Sequence, residues 1–289
     1  MLNIEDIKAK IKRNPEPQEV TDMRNLITKS FSKLQFVEEG HHYYLPMNDG
    51  TVKELKSVSH FTHQFEPHED WDKIKMNYAI KHNRTVEDVE KEWHIKNITS
   101  TTRGTKTHYY GEMMANLFLG KEDLVRESMP MSWEDGYLIP YCPKEEAVEK
   151  FWSDLIKIDD VWVVMPETKV YTNMNDKYDF KVGIAGTFDL LLACRVNNKI
   201  VYVIADYKTN KDLCNSYNQQ FNKTLLDPFS DFISEPKSMY TLQQSTYQAM
   251  LSQLDINIVD RRLIWLKEDG TYEKIPVPDI TQRILDFCC

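Results

Sequence analysis

Gly186-Thr-Phe-Asp-Leu-Leu-Leu-Ala-Cys-Arg-Val-Asn-Asn-Lys-Ile-Val-Tyr-Val-Ile-Ala-Asp-Tyr-Lys208 decides how this 289-residue chain is read. Two apolar, β-branched-rich runs flank Asn197-Asn198. Asn tolerates positive φ, so the pair predicts a two-residue hairpin turn, a weaker signal than Asn-Gly. Counting outward from that turn, Val196 faces Lys199 and Asp189 falls opposite Asp206. Opposed residues share a face, with Cβ atoms roughly 4.5–5.5 Å apart. Lys208 lies two residues beyond Asp206 and points the same way. Two carboxylates and one ammonium therefore meet on one face of a sheet.

Two readings of that cluster follow. In one, Lys208 neutralises a surface pair of acids. In the other, a divalent cation sits between carboxylates that would otherwise repel. The flanking residues bear on the choice. One face of the strands carries Leu190, Leu192, Val201, Val203 and Ala205; the acid-bearing face adds Leu191, Ala193 and Ile204. A hairpin apolar on both faces is central and covered, and charges at the ends of covered strands are costly unless paired or metal-bound.

Gly-Thr-x-Asp followed across a hairpin by Asp-x-Lys resembles the signature of the PD-(D/E)XK nuclease superfamily. Three further motifs resemble its RecB-like and phage-exonuclease-like branch. Arg103-Gly-Thr-Lys-Thr-His-Tyr-Tyr-Gly-Glu112 is similar to that branch's Gly-Thr-x-x-His-x-x-x-Glu helix. Gln243-Gln-Ser-Thr-Tyr247 is similar to its Gln-x-x-x-Tyr helix, and Glu167 falls at a frequently acidic strand position. The resemblance runs from about residue 58 to 265. It implies an α/β (α+β) fold: a restriction-endonuclease-like mixed central β-sheet flanked by helices. Residues 57–289 would form the nuclease core, with residues 1–56 an N-terminal helical and hairpin extension to one compact domain.

The resemblance also implies a function, a metal-dependent DNA exonuclease of DNA recombination, repair or phage DNA processing. Asp189, Asp206 and Lys208 would be catalytic. His108, Asp189, Asp206 and the backbone carbonyl of Tyr207 would hold Mg²⁺ or Mn²⁺. Glu112, Glu167, Gln243, Tyr247, Arg103 and Lys106 would support the site or touch substrate. Reaction would be in-line attack on phosphorus by a metal-activated water, leaving 5′-phosphate and 3′-hydroxyl. Expected partners are DNA ends or single strands, with a homo-oligomer or recombination partner protein as further expectations. A structure- or site-specific endonuclease, and a non-catalytic DNA-binding protein on the same fold, are the alternatives. Some RecB-like nucleases hold an iron–sulfur cluster through one early cysteine and three late ones. Cys142, Cys194, Cys214, Cys288 and Cys289 lack Cys-x₂-Cys spacing, so no cluster is expected.

Bulk properties predict a globular protein of the cytoplasm; the resemblance implies a bacterial or phage-infected cell. Hydrophobic residues make up 41% and charged residues 28%. The N-terminus has no basic-then-apolar leader, no run approaches the roughly 20 apolar residues that span a bilayer, and five cysteines suggest free thiols. A phosphate loop is absent, which excludes a helicase motor within this sequence. Net charge is −9, awkward for tracking a phosphate backbone. Residues 71–106 run against that balance: eight Lys or Arg against five acids leave +3.

Along the chain, helices are expected over 2–13, 20–34, from Ser57, over 103–120 and over 144–156. A hairpin is expected around Asn48-Asp49-Gly50 and a strand over 161–170. Residues 120–143 read as a loop or flap near the site. Residues 211–237 read as a long polar loop touching substrate or partly disordered. A closing hairpin around Glu268-Asp-Gly270 and a short C-terminal helix end the chain. His60, His63 and His68 lack a second ligand pair with zinc spacing and are read as surface or capping residues.

Overall fold

The computed structural model describes residues 2–173 and 177–289. In chain order come α1 (Ile4–Arg13), α2 (Gln18–Ser30), β1 (Gln35–Val37), β2 (His42–Pro46), β3 (Val52–Ser57), α3 (Val58–His63), α4 (Trp71–Lys81) and α5 (Val86–Phe118). Next are α6 (Glu122–Ser128), β4 (Trp133–Glu134), β5 (Tyr137–Leu138), α7 (Pro143–Leu155), β6 (Val161–Tyr171), β7 (Ile184–Val196) and β8 (Lys199–Lys208). The chain closes with α8 (Ser216–Gln220), α9 (Pro236–Leu251), β9 (Ile258–Leu266), β10 (Tyr272–Pro276) and α10 (Thr281–Cys288).

The architecture is a mixed sheet with helices on both faces. Its path is β1-β2-β3-β7-β8-β9-β10, and β6 pairs with β7. The β6–β7 and β7–β8 pairs are antiparallel, whereas β8 and β9 run parallel. A parallel neighbour needs a crossover, and α9 lies in it. Residues from α2, α3, α9 and α10 pack with Leu191, Ala193 and Ile204 in one core. Residues from α1, α5 and α7 pack with Leu190, Leu192 and Ala205 in a second. The hairpin is thus covered on both faces, as its apolar residues require.

The turn end of β7–β8 is regular. Asn197 and Asn198 take φ of 49° and 61°, the positive-φ pair of a tight hairpin turn. The ladder runs unbroken from Val196↔Lys199 to Leu190↔Ala205. It stops there, one pair short of Asp189 and Asp206. Beyond that point β8 continues beside β9, while Ala185 of β7 pairs with Tyr171 of β6 and with Ser57 of β3. The two strands fork, and β3 enters the opening. The N-terminal strands β1–β3 therefore share the main sheet.

Glycines allow the close approaches that shape this fork. A Cβ on Gly186, the motif glycine, would lie 2.7 Å from Val58 and 2.8 Å from the Tyr247 ring, so α3 and α9 press directly on β7. A Cβ on Gly111 would lie 2.5 Å from the Tyr207 ring, so α5 presses on β8.

Three expectations are corrected. The helix expected at 103–120 begins at Val86, where Thr85 caps it by accepting from the Asp88 amide at 3.1 Å; Gly104 lies inside it. Ion pairs between Lys91 and Glu87, Lys96 and Glu92, and Arg84 and Glu92 support its exposed first half. Residues 120–143 hold α6 and the β4–β5 pair and pack toward α1, with Ile4 N donating to Gly136 O at 3.1 Å. The flap reading fails because this segment buries Val125 and Leu138 in the core under α5. Residues 211–237 are ordered around α8 and a bridge between Thr224 and Ile233.

Candidate active site

The fork makes the site. Where the ladder ends, Asp189 Oδ2 accepts the Tyr207 backbone N–H at 2.6 Å. A side chain thus replaces a strand carbonyl, and the carboxylate is held between the diverging strands. On the other side of the hairpin Glu167 lies between Pro166, paired with Leu190, and Thr168, paired with Phe188, which brings it level with Asp189. Its φ is +43°, a left-handed conformation inside a strand. Such strain is costly for a residue with a side chain and clusters at functional sites. Alternation breaks here too: Phe188 packs with Tyr247 in one core, and Leu190 belongs to the other.

Two helices, α5 and α9, contribute side chains at the fork. From α5, His108 Nδ1 lies 3.0 Å from Asp189 Oδ1. From α9, Gln243 Oε1 accepts from Lys208 Nζ at 3.2 Å, and Gln243 Nε2 donates to the Tyr247 hydroxyl at 3.3 Å. That hydroxyl donates to Thr187 O at 2.8 Å, tying α9 to the motif strand. The Lys208 ammonium also sits 4.2 Å from the centre of the Tyr240 ring and is ion-paired with Asp206. One helical turn separates Gln243 from Tyr247, which is why their spacing was legible.

Electrostatics follow from burial and crowding. Burial, then the neighbouring Asp189 charge, pushes Asp206 up to about 6 despite Lys208. Burial pushes Glu167 up to about 9, with Asp189, Glu112 and Asp206 adding repulsion. Burial opposes charge on Asp189 as well, but His108 and Lys208 outweigh it and hold this carboxyl below its ordinary value. For His108 burial pulls the imidazole down, and the Asp189 carboxylate more than reverses it. Burial pulls the Lys208 ammonium down, but Asp206, Tyr240 and Asp189 together outweigh it and keep the group raised. Burial raises the carboxyl of Glu112.

A cavity of about 550 Å³ opens onto this cluster. Eight of the eleven expected residues line it: His108, Glu112, Glu167, Asp189, Asp206, Lys208, Gln243 and Tyr247. Tyr207 lies behind it, its ring buried and its hydroxyl accepting from Trp152 Nε1 at 3.0 Å. Arg103 and Lys106 are not brought to the cavity; Arg103 pairs with Glu268 at 3.2 Å, and Lys106 is exposed. The wall also contains the motif residue Thr187 and three residues that sequence reasoning missed: Glu38 and His41 of the β1–β2 turn and Tyr43 of β2. The Tyr43 hydroxyl lies 3.2 Å from Thr187 Oγ1 and 3.4 Å from His41 Nε2. The only local signal for them was Gly40-His-His-Tyr-Tyr44, where Gly40 and His41 both take positive φ.

Among the described residues no three His, Cys, Asp or Glu side chains stand grouped to hold a metal. Asp189 is turned to His108, and Asp206 to Lys208. The donor chemistry nevertheless suits a hard divalent cation, which takes carboxylate oxygens. Three carboxyls repel one another at the fork. Asp206 Oδ2 is buried and, although it touches the ammonium, receives no hydrogen bond of normal geometry. A cation would relieve both conditions. No family model matches this chain, and no curated protein matches it.

Proposed function

We propose that this chain is a metal-dependent DNA exonuclease of the PD-(D/E)XK type. One observation carries the reading: Asp189, Asp206 and Lys208 are buried together where two central strands fork, beside a cavity and opposite His108. A buried Asp-Asp-Lys set with a helix-borne His is costly to keep without a use. The mixed sheet, with this hairpin at its centre and helices on both faces, supports the restriction-endonuclease-like reading of the fold.

Mg²⁺ or Mn²⁺, held by Asp189, Asp206 and His108, would neutralise the carboxylates and polarise a phosphate oxygen. The protein's own groups do the rest. Lys208 presents a fixed positive charge where negative charge builds on the phosphate in the transition state. Gln243 and Tyr240 hold that ammonium in place, so little reorganisation is needed during reaction. Tyr247, bonded to Thr187 O, keeps α9 in register with the strand that carries Asp189. Water oxygen bonds to phosphorus and gives up a proton to solvent, the P–O3′ bond breaks, and O3′ leaves with its electron pair and takes up a proton from solvent.

The test is degradation of end-labelled linear and closed-circular DNA with Mg²⁺, Mn²⁺ or EDTA, alongside Lys208→Ala and Asp189→Ala. Linear DNA should be lost only with metal, and each variant should be at least about 10²-fold slower. Cutting of circles would make the enzyme an endonuclease. Activity that survives both substitutions, or none on any DNA, would remove the assignment.

A further inference from the structure

We infer that a second cleft, adjoining the acid–lysine cavity, binds the unpaired bases of a single-stranded DNA end, with Trp71 as their stacking platform. This rests on the nuclease reading above and names its substrate class. The cleft has a volume of about 1280 Å³, beyond the roughly 300–1,000 Å³ of ordinary small-molecule pockets. It is continuous with the site, since Ser59, Lys208 and Gln243 line both. A strand lying in it would run directly to Lys208.

Its walls suit bases better than phosphates. On α4, Trp71, Ile74 and Asn77 recur every third residue and face the cleft together. Trp71 is 60% exposed there, an unusual cost for the largest apolar side chain. Tyr217 of α8 also lines the cleft and extends its aromatic surface by packing on Phe221 at 4.7 Å. The long 211–237 segment that carries Tyr217 is fastened to the α3–α4 connection. Lys223 pairs with Glu69 at 3.2 Å, and Leu226 N donates to Phe65 O at 2.7 Å. The two walls are thus held at a fixed separation.

Charge excludes the other mode of recognition. Of the lining lysines, Lys208 is paired with Asp206 and Lys223 with Glu69, which leaves Lys73 without an ion pair among the described residues. Half of the eight basic residues in the stretch seen in the sequence are spent likewise. Lys75, Arg84, Lys91 and Lys96 are paired with acids of the same arm. A duplex track needs many free cations, each adding to the salt dependence. Stacking needs only an exposed ring, and every base offers one face to it.

The experiment is fluorescence anisotropy in EDTA, so that binding is read without hydrolysis. The probes are a labelled oligothymidylate of about 16 nucleotides and a blunt duplex of equal length. The wild-type protein should bind the single strand at least about tenfold more tightly. Its log–log salt slope should be shallower than about −2, the mark of few phosphate contacts. Trp71→Ala should weaken single-strand binding about tenfold or more, and Trp71→Phe should keep most of it. Equal or tighter binding of the duplex, or no effect of Trp71→Ala in a protein with unchanged melting temperature, overturns the inference. Hydrolysis of linear DNA measured in parallel separates the failures. Metal-dependent hydrolysis without single-strand preference removes the cleft assignment alone; loss of both binding and hydrolysis removes the nuclease reading too.

Discussion

The two ends of the β7–β8 hairpin are built to opposite ends. At the turn, seven consecutive pairs keep one register, and the two Asn residues supply the positive φ the turn needs. Apolar side chains there bury on both faces, a gain of roughly 1.5–3 kcal/mol for each large one. At the fork, pairing stops, Glu167 is held at φ +43°, and three carboxyls and an ammonium lie close together. The strained backbone of Glu167 and the crowding of buried carboxyls cost stability in the free protein. The stable end serves as the frame that holds the costly end in place, while α3 and α9 pressing on Gly186 and α5, at Gly111, pressing on Tyr207 hold the fork.

The contrast can be tested by substitution. Gly111→Ala should have the largest effect on stability. Alanine favours a helix by up to about 1 kcal/mol, but its Cβ would lie 2.5 Å from a Tyr207 ring pinned by Trp152. Overpacking of about 1–3 kcal/mol wins, and thermal unfolding should show a net drop of several degrees with weaker hydrolysis. An unchanged melting point would mean that α5 can move away from the fork.

Glu167→Gln should act in the opposite direction and more weakly. The carboxyl is raised from 4.5 to about 9. The unfolded chain therefore loses this proton near pH 4.5, while the folded protein keeps it until about pH 9. Stability drains away as pH rises through that window. In EDTA, Gln should melt like Glu at pH 4 and higher than Glu at pH 8, by on the order of 1 kcal/mol after allowance for the group's partial exposure. A constant difference at both pH values would show that the carboxyl is not the source. The smallest effect belongs to the turn: Asn198→Gly should change stability by no more than about 0.5 kcal/mol and leave hydrolysis alone. A large activity loss there would couple the two ends more tightly than their structure implies.

The site was legible to different depths at different residues. Asp189, Asp206 and Lys208 could be brought together by counting from Asn197-Asn198, because strand periodicity is local and the turn supplies the origin. The count still erred in one respect, since it continued a ladder that stops at Leu190↔Ala205. Forking is caused by β3 pairing with β7 and by α3 and α9 pressing on Gly186, contacts between segments far apart in sequence. Arg103 and Lys106 looked like substrate contacts because their charge was visible, while their partners and exposure were not. His41 and Tyr43 were invisible for the complementary reason: nothing near them in the chain announces a neighbour such as Thr187.

From the chain's own chemistry came the hairpin, both of its buried faces, the helices α1, α2, α3, α7 and α10, and the His108, Gln243 and Tyr247 spacings. These depend on interactions within a few residues, which periodicity and turn propensity encode directly. The tertiary structure alone decided that the strands part beside Asp189, that Glu167 is forced to positive φ level with it, and that the β1–β2 turn and Tyr43 wall the cavity. It also decided that Trp71 and Tyr217, 146 positions apart, line one cleft. Those outcomes depend on which distant surfaces find room to pack, and no local pattern carries that information.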